Sequence, residues 1–349
     1  MEALKDIGGP AQPLLTISGL VKHFPLKKDP LGRGGGVVRA VDGVDFEVMK
    51  GETLGVVGES GCGKSTTARL LMQLIEPTRG EVIFDGREVG GRDLPLKEFR
   101  RQVQMVFQDS YASLNPRLTI EDSVAFGPQV HGVSRRESVA RARDLLARVG
   151  LAPQRFAERY PHELSGGQRQ RVNIARALAL QPRMVILDEA VSALDKSVEA
   201  QVINLLLDLK TEFGLTYVFI SHDLNVVRYV SDRVMVMYLG QVAEIGPADA
   251  LYETPAHPYT RALLSSMPSM DPDRRTEVAA LAGDPPNPIN PPTGCRFHPR
   301  CSIAAPVCSQ IVPERIATDS QHAVSCLVHE PGSGHPMAQP QPFLQRQAA

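Results

Sequence analysis

The sequence lacks long hydrophobic runs, a strong net charge and a recognisable leader. No stretch approaches the roughly 18 consecutive apolar residues that a membrane-spanning helix needs. The formal net charge is −1, which provides no overall attraction to nucleic acid, and we expect no nucleic-acid partner. The N-terminal residues contain no basic start followed by an apolar run, so no signal peptide is predicted. We therefore expect a soluble, cytosolic chain whose membrane role would come only through partner subunits.

The 349 residues are 42% hydrophobic and 22% charged, enough to bury a sizeable core in about two domains. Residues 14–24 and 37–48 are predicted strands, the second because Val44, Phe46 and Val48 alternate with acids. Further strands are expected at Thr53–Val57, Met184–Leu187, Thr216–Ile220 and Val234–Tyr238. Helices are expected from Gly63, over 136–149, and from Val198 to Phe213 with a stop at Gly214. This alternation predicts an α/β fold with a largely parallel sheet covered by helices.

A phosphate-binding loop follows the Thr53–Val57 strand and opens the next helix. The segment from Gly58 to Ser65 fits the pattern G-x-x-x-x-G-K-[ST] in the context that this motif requires. Its glycines let backbone N–H groups converge on phosphate oxygens, Lys64 would reach the β- and γ-phosphates, and Ser65 would ligate Mg²⁺. The predicted nucleotide-binding set is Gly58, Ser60, Gly61, Cys62, Gly63, Lys64, Ser65 and Thr66.

Two acids end the second buried strand. The carboxyl edge of a parallel sheet is where α/β proteins bind their ligands, so Asp188 is expected to hold Mg²⁺ and Glu189 to polarise the attacking water as general base. An apolar run followed by Asp-Glu is a weak signal alone. It becomes strong beside the phosphate-binding loop.

A second anion site is predicted at Leu164–Arg171. Ser165, Gly166, Gly167 and Gln168 stand where a helix begins, and helix N-termini bind anions. One chain thus carries two phosphate-cradling helix starts but a single loop lysine. Two chains packed head to tail would pair each loop with the other chain's second site, with ATP between them.

At this point the sequence resembles the ABC ATPase family over about residues 14–250. Leu164–Gln168 matches its signature loop, and Ser192–Asp195 matches its D-loop. By this resemblance Gln108, in the glutamine loop, would be a catalytic residue that contacts Mg²⁺ and His222 would contact the γ-phosphate. Phe24, which precedes the 25–36 insertion, would contact the adenine. The resemblance implies a P-loop NTPase (RecA-like) core with an antiparallel β subdomain and a helical signature subdomain. Two departures are Ala190 and Lys196, which replace residues common among relatives.

Three further segments resemble the peptide and nickel importer subfamily, nearest to its F-type ATP-binding subunits. They are Phe107–Arg117, His257–Leu264 and Asn287–Cys301. This implies a peripheral ATPase on the cytoplasmic face of the inner membrane that energises import of di- or oligopeptides. The implied partners are a second, different ATPase subunit, two transmembrane permease subunits and an extracytoplasmic peptide-binding protein. A nickel or other small-solute importer, and an ATP-binding scaffold with little turnover, stay as alternatives.

The resemblance implies an ATPase domain at 14–255 and an irregular C-terminal extension at 256–330, and composition predicts a disordered tail at 331–349 rich in Gln, Pro and Ala. The extension holds Cys295, Cys301, Cys308 and Cys326, with gaps of five, six and seventeen residues. Structural zinc sites usually pair cysteines two to four residues apart. This spacing favours a [4Fe–4S] cluster, which the resemblance also implies. His298 and His322 keep a Cys/His zinc site open, and four unligated thiols are the remaining alternative.

Overall fold

The computed structural model describes Gly9 and residues 12–26, 35–267, 283–319 and 321–338. In chain order the strands are β1 (Pro13–Leu26), β2 (Gly36–Met49), β3 (Thr53–Val57), β4 (Arg79–Phe84), β5 (Arg87–Glu88), β6 (Val103–Val106), β7 (Met184–Asp188), β8 (Thr216–Ile220), β9 (Arg233–Tyr238), β10 (Gln241–Pro247), β11 (Ile316–Ala317) and β12 (Ala323–Val324). The helices are α1 (Lys64–Leu71), α2 (Leu96–Gln102), α3 (Ile120–Val130), α4 (Arg135–Arg148), α5 (Pro153–Phe156), α6 (Gly166–Leu178), α7 (Lys196–Phe213), α8 (Leu224–Val230), α9 (Ala248–Glu253) and α10 (Pro258–Ser265).

A four-stranded antiparallel sheet with the order β2-β1-β4-β5 forms the first layer. The predicted alternation in β2 is confirmed, because Val44, Phe46 and Val48 are all buried. In β1, Ile17 faces Phe46 across the ladder. Strands β4 and β5 were not predicted.

The second sheet carries the site and has the order β11-β12-β10-β9-β3-β8-β7-β6. Its centre is parallel: β3 pairs with β8 and β9, and β7 pairs with β6 and β8. The loops that leave β3, β6, β7 and β8 therefore meet at one edge, as parallel topology requires. The predicted α/β core with an antiparallel subdomain is confirmed.

Helix α7 confirms the clearest periodic prediction of the sequence. Its buried face includes Val202, Leu206 and Leu209, and Gly214 ends it in the left-handed conformation with φ 61°. Phe213 lies on the same face, at the last position of the helix. It is 38% exposed, and the Arg148 guanidinium lies 5.4 Å from its ring centroid.

The helical subdomain is formed by α3, α4 and α6, which pack on one another. Ser134 caps α4 by accepting a hydrogen bond from the Glu137 N–H at 3.2 Å. None of the helices in the described residues is long and apolar enough to cross a membrane.

The extension adds its hairpin β11–β12 to the main sheet, where Val324 pairs with Glu244 of β10. Phe297 and Tyr259 are buried in the same apolar cluster as the sheet and the helical subdomain. The extension is therefore packed on the core of the ATPase domain. The predicted tail is ordered in part, since Ser333 and His335 are buried and His335 Nε2 lies 3.1 Å from the Ile303 carbonyl oxygen. Residues 339–349, and most of the 25–36 insertion, lie outside the described residues.

Candidate active site

At two positions, the loop between β3 and α1 accepts only glycine. Gly58 and Gly63 have φ of 148° and 111°. A Cβ at Gly58 would lie 2.2 Å from the Met237 carbonyl oxygen, and one at Gly63 would lie 2.3 Å from that of Ala40. Close backbone packing thus shapes the predicted phosphate-binding loop, which runs on through Ser60, Gly61 and Cys62 into α1 with Ser65 and Thr66.

Lys64 lies over this loop with its side chain buried. Its Nζ donates hydrogen bonds to the carbonyl oxygens of Gly58 at 2.7 Å and Glu59 at 3.1 Å. The residue is 5% exposed. A cation held by carbonyl oxygens at a helix N-terminus suits an incoming phosphate.

Ser65 and Asp188 come together as the sequence predicted. Ser65 Oγ donates to Asp188 Oδ1 at 2.9 Å. Burial raises the pKa of the Asp188 carboxyl, and the charge of Glu189 raises it further. A hydroxyl and a carboxylate oxygen at this separation are hard donors of the type that Mg²⁺ prefers, so the residues fit the expected ion.

The two other predicted catalytic side chains contact the carboxylate of Glu189. Gln108 Nε2 donates to Glu189 Oε2 at 2.9 Å, and His222 Nδ1 lies 3.4 Å from the same oxygen. The Glu189 side chain is 17% exposed, whereas that of His222 is 61% exposed and accessible to a ligand. Two groups from the ends of β6 and β8 thus meet at the carboxylate that follows β7.

The aromatic residue expected to contact the adenine ring lies on β1. Phe24 pairs with Val38 and is 37% exposed, and Lys22 Nζ lies 5.2 Å from its ring centroid. An exposed aromatic residue with a cation over its ring suits contact with a nucleobase.

The signature segment forms a capping box at the start of α6. Ser165 Oγ accepts from the Gln168 N–H at 3.3 Å, and Gln168 Oε1 accepts from the Ser165 N–H at 3.0 Å. A Cβ at Gly167 would lie 2.4 Å from Val198 of α7, whereas Gly166 has more room. Ser165 is exposed at the start of this helix.

Lys196, noted as a departure from the family pattern, joins two predicted loops. Its Nζ donates to Asp223 Oδ2 at 2.7 Å, so the D-loop end is tied to the residue that follows His222. Ser192 Oγ donates to the Glu189 carbonyl oxygen at 2.9 Å. Asp195 occupies the N-cap position of α7 but makes no side-chain capping bond, and it is exposed.

Sequence reasoning missed the contacts that hold the segment after Gln108. Asn173 Nδ2 donates to the Ser110 carbonyl oxygen at 3.0 Å, and Arg176 donates to that of Ser113. Both donors lie on α6. Their spacing of three residues, directly after the signature loop, was the available signal.

The four cysteines of the extension lie near one another. The Cys295 N–H donates to the Cys308 carbonyl oxygen at 2.8 Å. Burial raises the pKa of Cys295 to about 11, and the charges of Cys326, Cys308 and Cys301 act in the same direction. Among the described residues, no group of three or more His, Cys, Asp or Glu side chains could hold a metal ion. The arrangement thus does not match a preformed single-ion site.

Comparison with known proteins agrees with this geometry. Residues 41–192 match the family model described as ABC transporter, and residues 243–308 match the one described as oligopeptide/dipeptide transporter, C-terminal region. The chain is 51% identical over 92% of its length, and 91% of the relative, to a probable peptide ABC transporter ATP-binding protein, y4tS, of Sinorhizobium fredii. It is 50% identical over 90% of its length, and 96% of the relative, to the oligopeptide transport ATP-binding protein AppF of Bacillus subtilis.

Among solved structures, the ATP-binding cassette MJ0796 in a post-hydrolysis state with ADP and Pi superposes with a TM-score of 0.58 at 30% identity. The match covers 67% of this chain and 98% of that one. The chain cbiO1 of the Clostridium perfringens cbiONQ transporter superposes with a TM-score of 0.59 at 26% identity, covering 70% and 92%. This chain therefore belongs to the ABC transporter family, as an ATP-binding subunit of the oligopeptide and dipeptide type.

Proposed function

We propose that ATP hydrolysis by this chain drives import of di- or oligopeptides. The observation that carries the proposal is the convergence of Gln108 and His222 on Glu189 at the edge that also holds Lys64. The names of the relatives and the matched C-terminal region support peptides as cargo.

The chemistry follows from the positions of the side chains. Lys64 and the loop N–H groups would bind the β- and γ-phosphates, and Glu189 would accept the proton of the attacking water. Mg²⁺, held by Ser65 and Asp188 with Gln108 nearby, would neutralise charge on the phosphate oxygens. His222, with a mostly exposed ring, would contact the γ-phosphate.

The exposed groups support an assembly. Ser165 and Asp195 are exposed at one end of α6 and α7, which suits a head-to-tail pairing with a second, different ATPase subunit. Two transmembrane permease subunits and an extracytoplasmic peptide-binding protein would complete the transporter. This chain would then lie peripherally on the cytoplasmic face of the inner membrane.

Reconstitution of the complete transporter in proteoliposomes tests the function. Uptake of a labelled dipeptide should require ATP and the binding protein, and should stop when this chain carries Glu189→Gln. Uptake of Ni²⁺ without peptide uptake would instead assign the small-solute alternative. Full peptide uptake with Glu189→Gln in this chain would make it an ATP-binding scaffold.

We also propose that Cys295, Cys301, Cys308 and Cys326 hold a [4Fe–4S] cluster. A single zinc ion needs four ligands at about 2.3 Å from one point, whereas a cubane cluster takes each thiolate on a different iron. The absence of a single-ion group among the described residues therefore weighs against zinc more than against a cluster.

Anaerobic purification followed by iron, sulfide and zinc analysis tests this second proposal. Four irons and four sulfides per chain are expected, and they should be lost when Cys308 is replaced by Ser. The matched control is Cys62→Ser, which lies in the phosphate-binding loop and should leave the iron content unchanged. Protein without metal, in which all four thiols react in the folded state, would contradict the proposal.

A further inference from the structure

Glu59, the second residue of the phosphate-binding loop, is held from three sides. Its N–H donates to the Tyr259 hydroxyl at 2.8 Å. Its carboxylate accepts hydrogen bonds from both terminal guanidinium nitrogens of Arg300, at 2.7 and 3.0 Å. Its carbonyl oxygen accepts from Lys64 Nζ at 3.1 Å. Two of these three partners come from the extension, some two hundred residues further along the chain.

The hydroxyl of Tyr259 is placed rigidly. The residue is fully buried, at 0% exposure. Its ring centroid lies 4.6 Å from that of Tyr238, at the end of β9, and 5.4 Å from that of Phe297. Packing on both neighbours leaves the ring no alternative rotamer without opening the core.

The guanidinium of Arg300 is equally constrained. Its side chain is 5% exposed, and the Glu59 carboxylate raises its pKa above the ordinary value. Two parallel N–H···O bonds fix direction as well as distance, which a lysine could not do. Arg300 also lies 3.5 Å from the Tyr238 hydroxyl, so both partners of Glu59 share one neighbour.

The loop needs external support for a physical reason. Gly58, Gly61 and Gly63 all have positive φ, and glycine-rich backbone pays a large entropy cost when it is ordered. A loop already fixed at Glu59 pays less of that cost when phosphate binds. The Glu59 N–H donates to Tyr259, so this amide anchors the loop to the extension.

We propose that Tyr259 and Arg300 are positioning residues for ATP, which hold the phosphate-binding loop in its binding conformation through Glu59. The extension is thereby part of the nucleotide site. The inference rests on the ATPase activity of the family. An inactive wild-type complex would be a failure of that activity and not of this inference.

Nucleotide binding by the full-length chain tests the role of Tyr259. The Tyr259→Phe variant loses one acceptor for a buried N–H, which we expect to weaken binding of a fluorescent ATP analogue about fivefold to tenfold. The matched control is Tyr217→Phe, because Tyr217 is also buried and its hydroxyl donates a hydrogen bond to the Leu206 carbonyl oxygen at 2.9 Å. Both variants should melt at lower temperature than wild type. Only Tyr259→Phe should lose affinity, and equal affinities in the two variants would overturn the proposal.

A double-mutant cycle tests the role of Arg300. Arg300→Gln and Glu59→Gln should each raise the KM for ATP of the assembled ATPase about fivefold, with a smaller effect on kcat. The KM of the double variant should be no higher than that of the single variant with the higher KM, because both changes break the same ion pair. The control is Arg315→Gln, which removes another arginine of the extension that donates to the Asp45 carbonyl oxygen. Additive effects, or an equal KM change in the control, would assign Arg300 a merely structural role.

Discussion

Glu189 combines the geometry and the strain that its role requires. It adopts φ 48°, a left-handed conformation that an ordinary side chain avoids. Such residues cost about 1–3 kcal/mol and persist where the surroundings hold them. Here the Glu189 N–H donates to the Ile220 carbonyl oxygen at 2.9 Å, and Ser192 Oγ binds its carbonyl oxygen. The bend at the end of β7 brings the carboxylate to Gln108 and His222.

Replacing Glu189 by Gln removes the proton acceptor and keeps the shape of the side chain. We expect ATP binding to be retained and hydrolysis to fall roughly 10²–10⁴-fold, the usual contribution of a positioned base. Steady-state phosphate release and nucleotide binding on the same preparation check both parts. Glu98, a half-buried carboxylate outside the site, provides the Glu98→Gln control. Hydrolysis at the wild-type rate in Glu189→Gln would move the base elsewhere.

His257 is a second residue whose environment has a measurable consequence. Its Nδ1 caps α10 by accepting from the Tyr259 N–H at 2.9 Å. Burial lowers the pKa of His257 to about 4, although the Glu244 carboxylate opposes that shift. The unfolded chain, with an ordinary value of 6.5, therefore binds more protons between pH 6.5 and 4, and stability falls as the pH falls through that window. His322 acts in the opposite direction, because Glu244 raises its pKa and its contribution is lost as the pH rises through that raised value.

The His257→Asn variant keeps a capping acceptor and removes the titrating ring. Between pH 7 and pH 5, wild type should lose about 2 kcal/mol more stability than the variant, from the shift of the His257 pKa. Urea unfolding at the two pH values measures the difference, and packing lost in the variant cancels because it does not depend on pH. Parallel losses in both proteins would mean that His257 is protonated in the folded state.

At the scale of elements, α6 has two roles. Its first turn presents Ser165 to solvent, and its middle holds the segment after Gln108 through Asn173 and Arg176. A ligand at one end of this helix and a partner on that segment would therefore act on the same rigid body. This arrangement offers a route by which the nucleotide state reaches the surface around Tyr111, which is 52% exposed.

Ser165→Arg tests whether the signature loop serves the opposing subunit. In a mixed dimer, the variant in this chain should cripple hydrolysis at the site whose loop lysine belongs to the partner. The matched control is Ser134→Arg, which removes the cap of α4 with a similar cost of about 1 kcal/mol but lies outside the nucleotide site. Lys64→Ala in this chain inactivates the site built on its own loop, so that hydrolysis at the partner's site can be measured separately. Loss of hydrolysis at the site that contains this chain's own Lys64 would contradict head-to-tail pairing.

Elements with a strong local signal were predictable, and elements that depend on distant partners were not. The strand–loop–helix around Gly58–Ser65 and the helix ending at Gly214 have their glycines and apolar period in one short window. Strands β11 and β12 have two residues each and exist because β10 offers an edge to pair with. No local pattern encodes that pairing. The contact of Tyr259 with Glu59 was invisible for the same reason, although His257–Leu264 stood out as a motif.

At the scale of the whole molecule, the extension holds the phosphate-binding loop, and α6 holds the segment after Gln108. The extension contacts the loop through Tyr259 and Arg300, whereas the segment after Gln108 has exposed residues. We expect a permease subunit to contact this exposed segment, because α6 connects it to the signature loop. Ala112, in the centre of this segment, is exposed.

A photo-crosslinking amino acid at Ala112 should therefore capture a transmembrane subunit in the assembled transporter. Asp109 orders this segment, because its Oδ1 accepts from the N–H groups of Tyr111 and Ala112 at 2.9 Å each, so the probe projects from a defined turn. The control position is Glu81 on β4, which is equally exposed but belongs to the antiparallel sheet. Mass spectrometry of the adducts should find permease peptides with the probe at 112 and none with the probe at 81. Adducts to the other ATPase subunit alone would place the segment in the ATPase dimer contact, and would move the route to the membrane to another surface of α6.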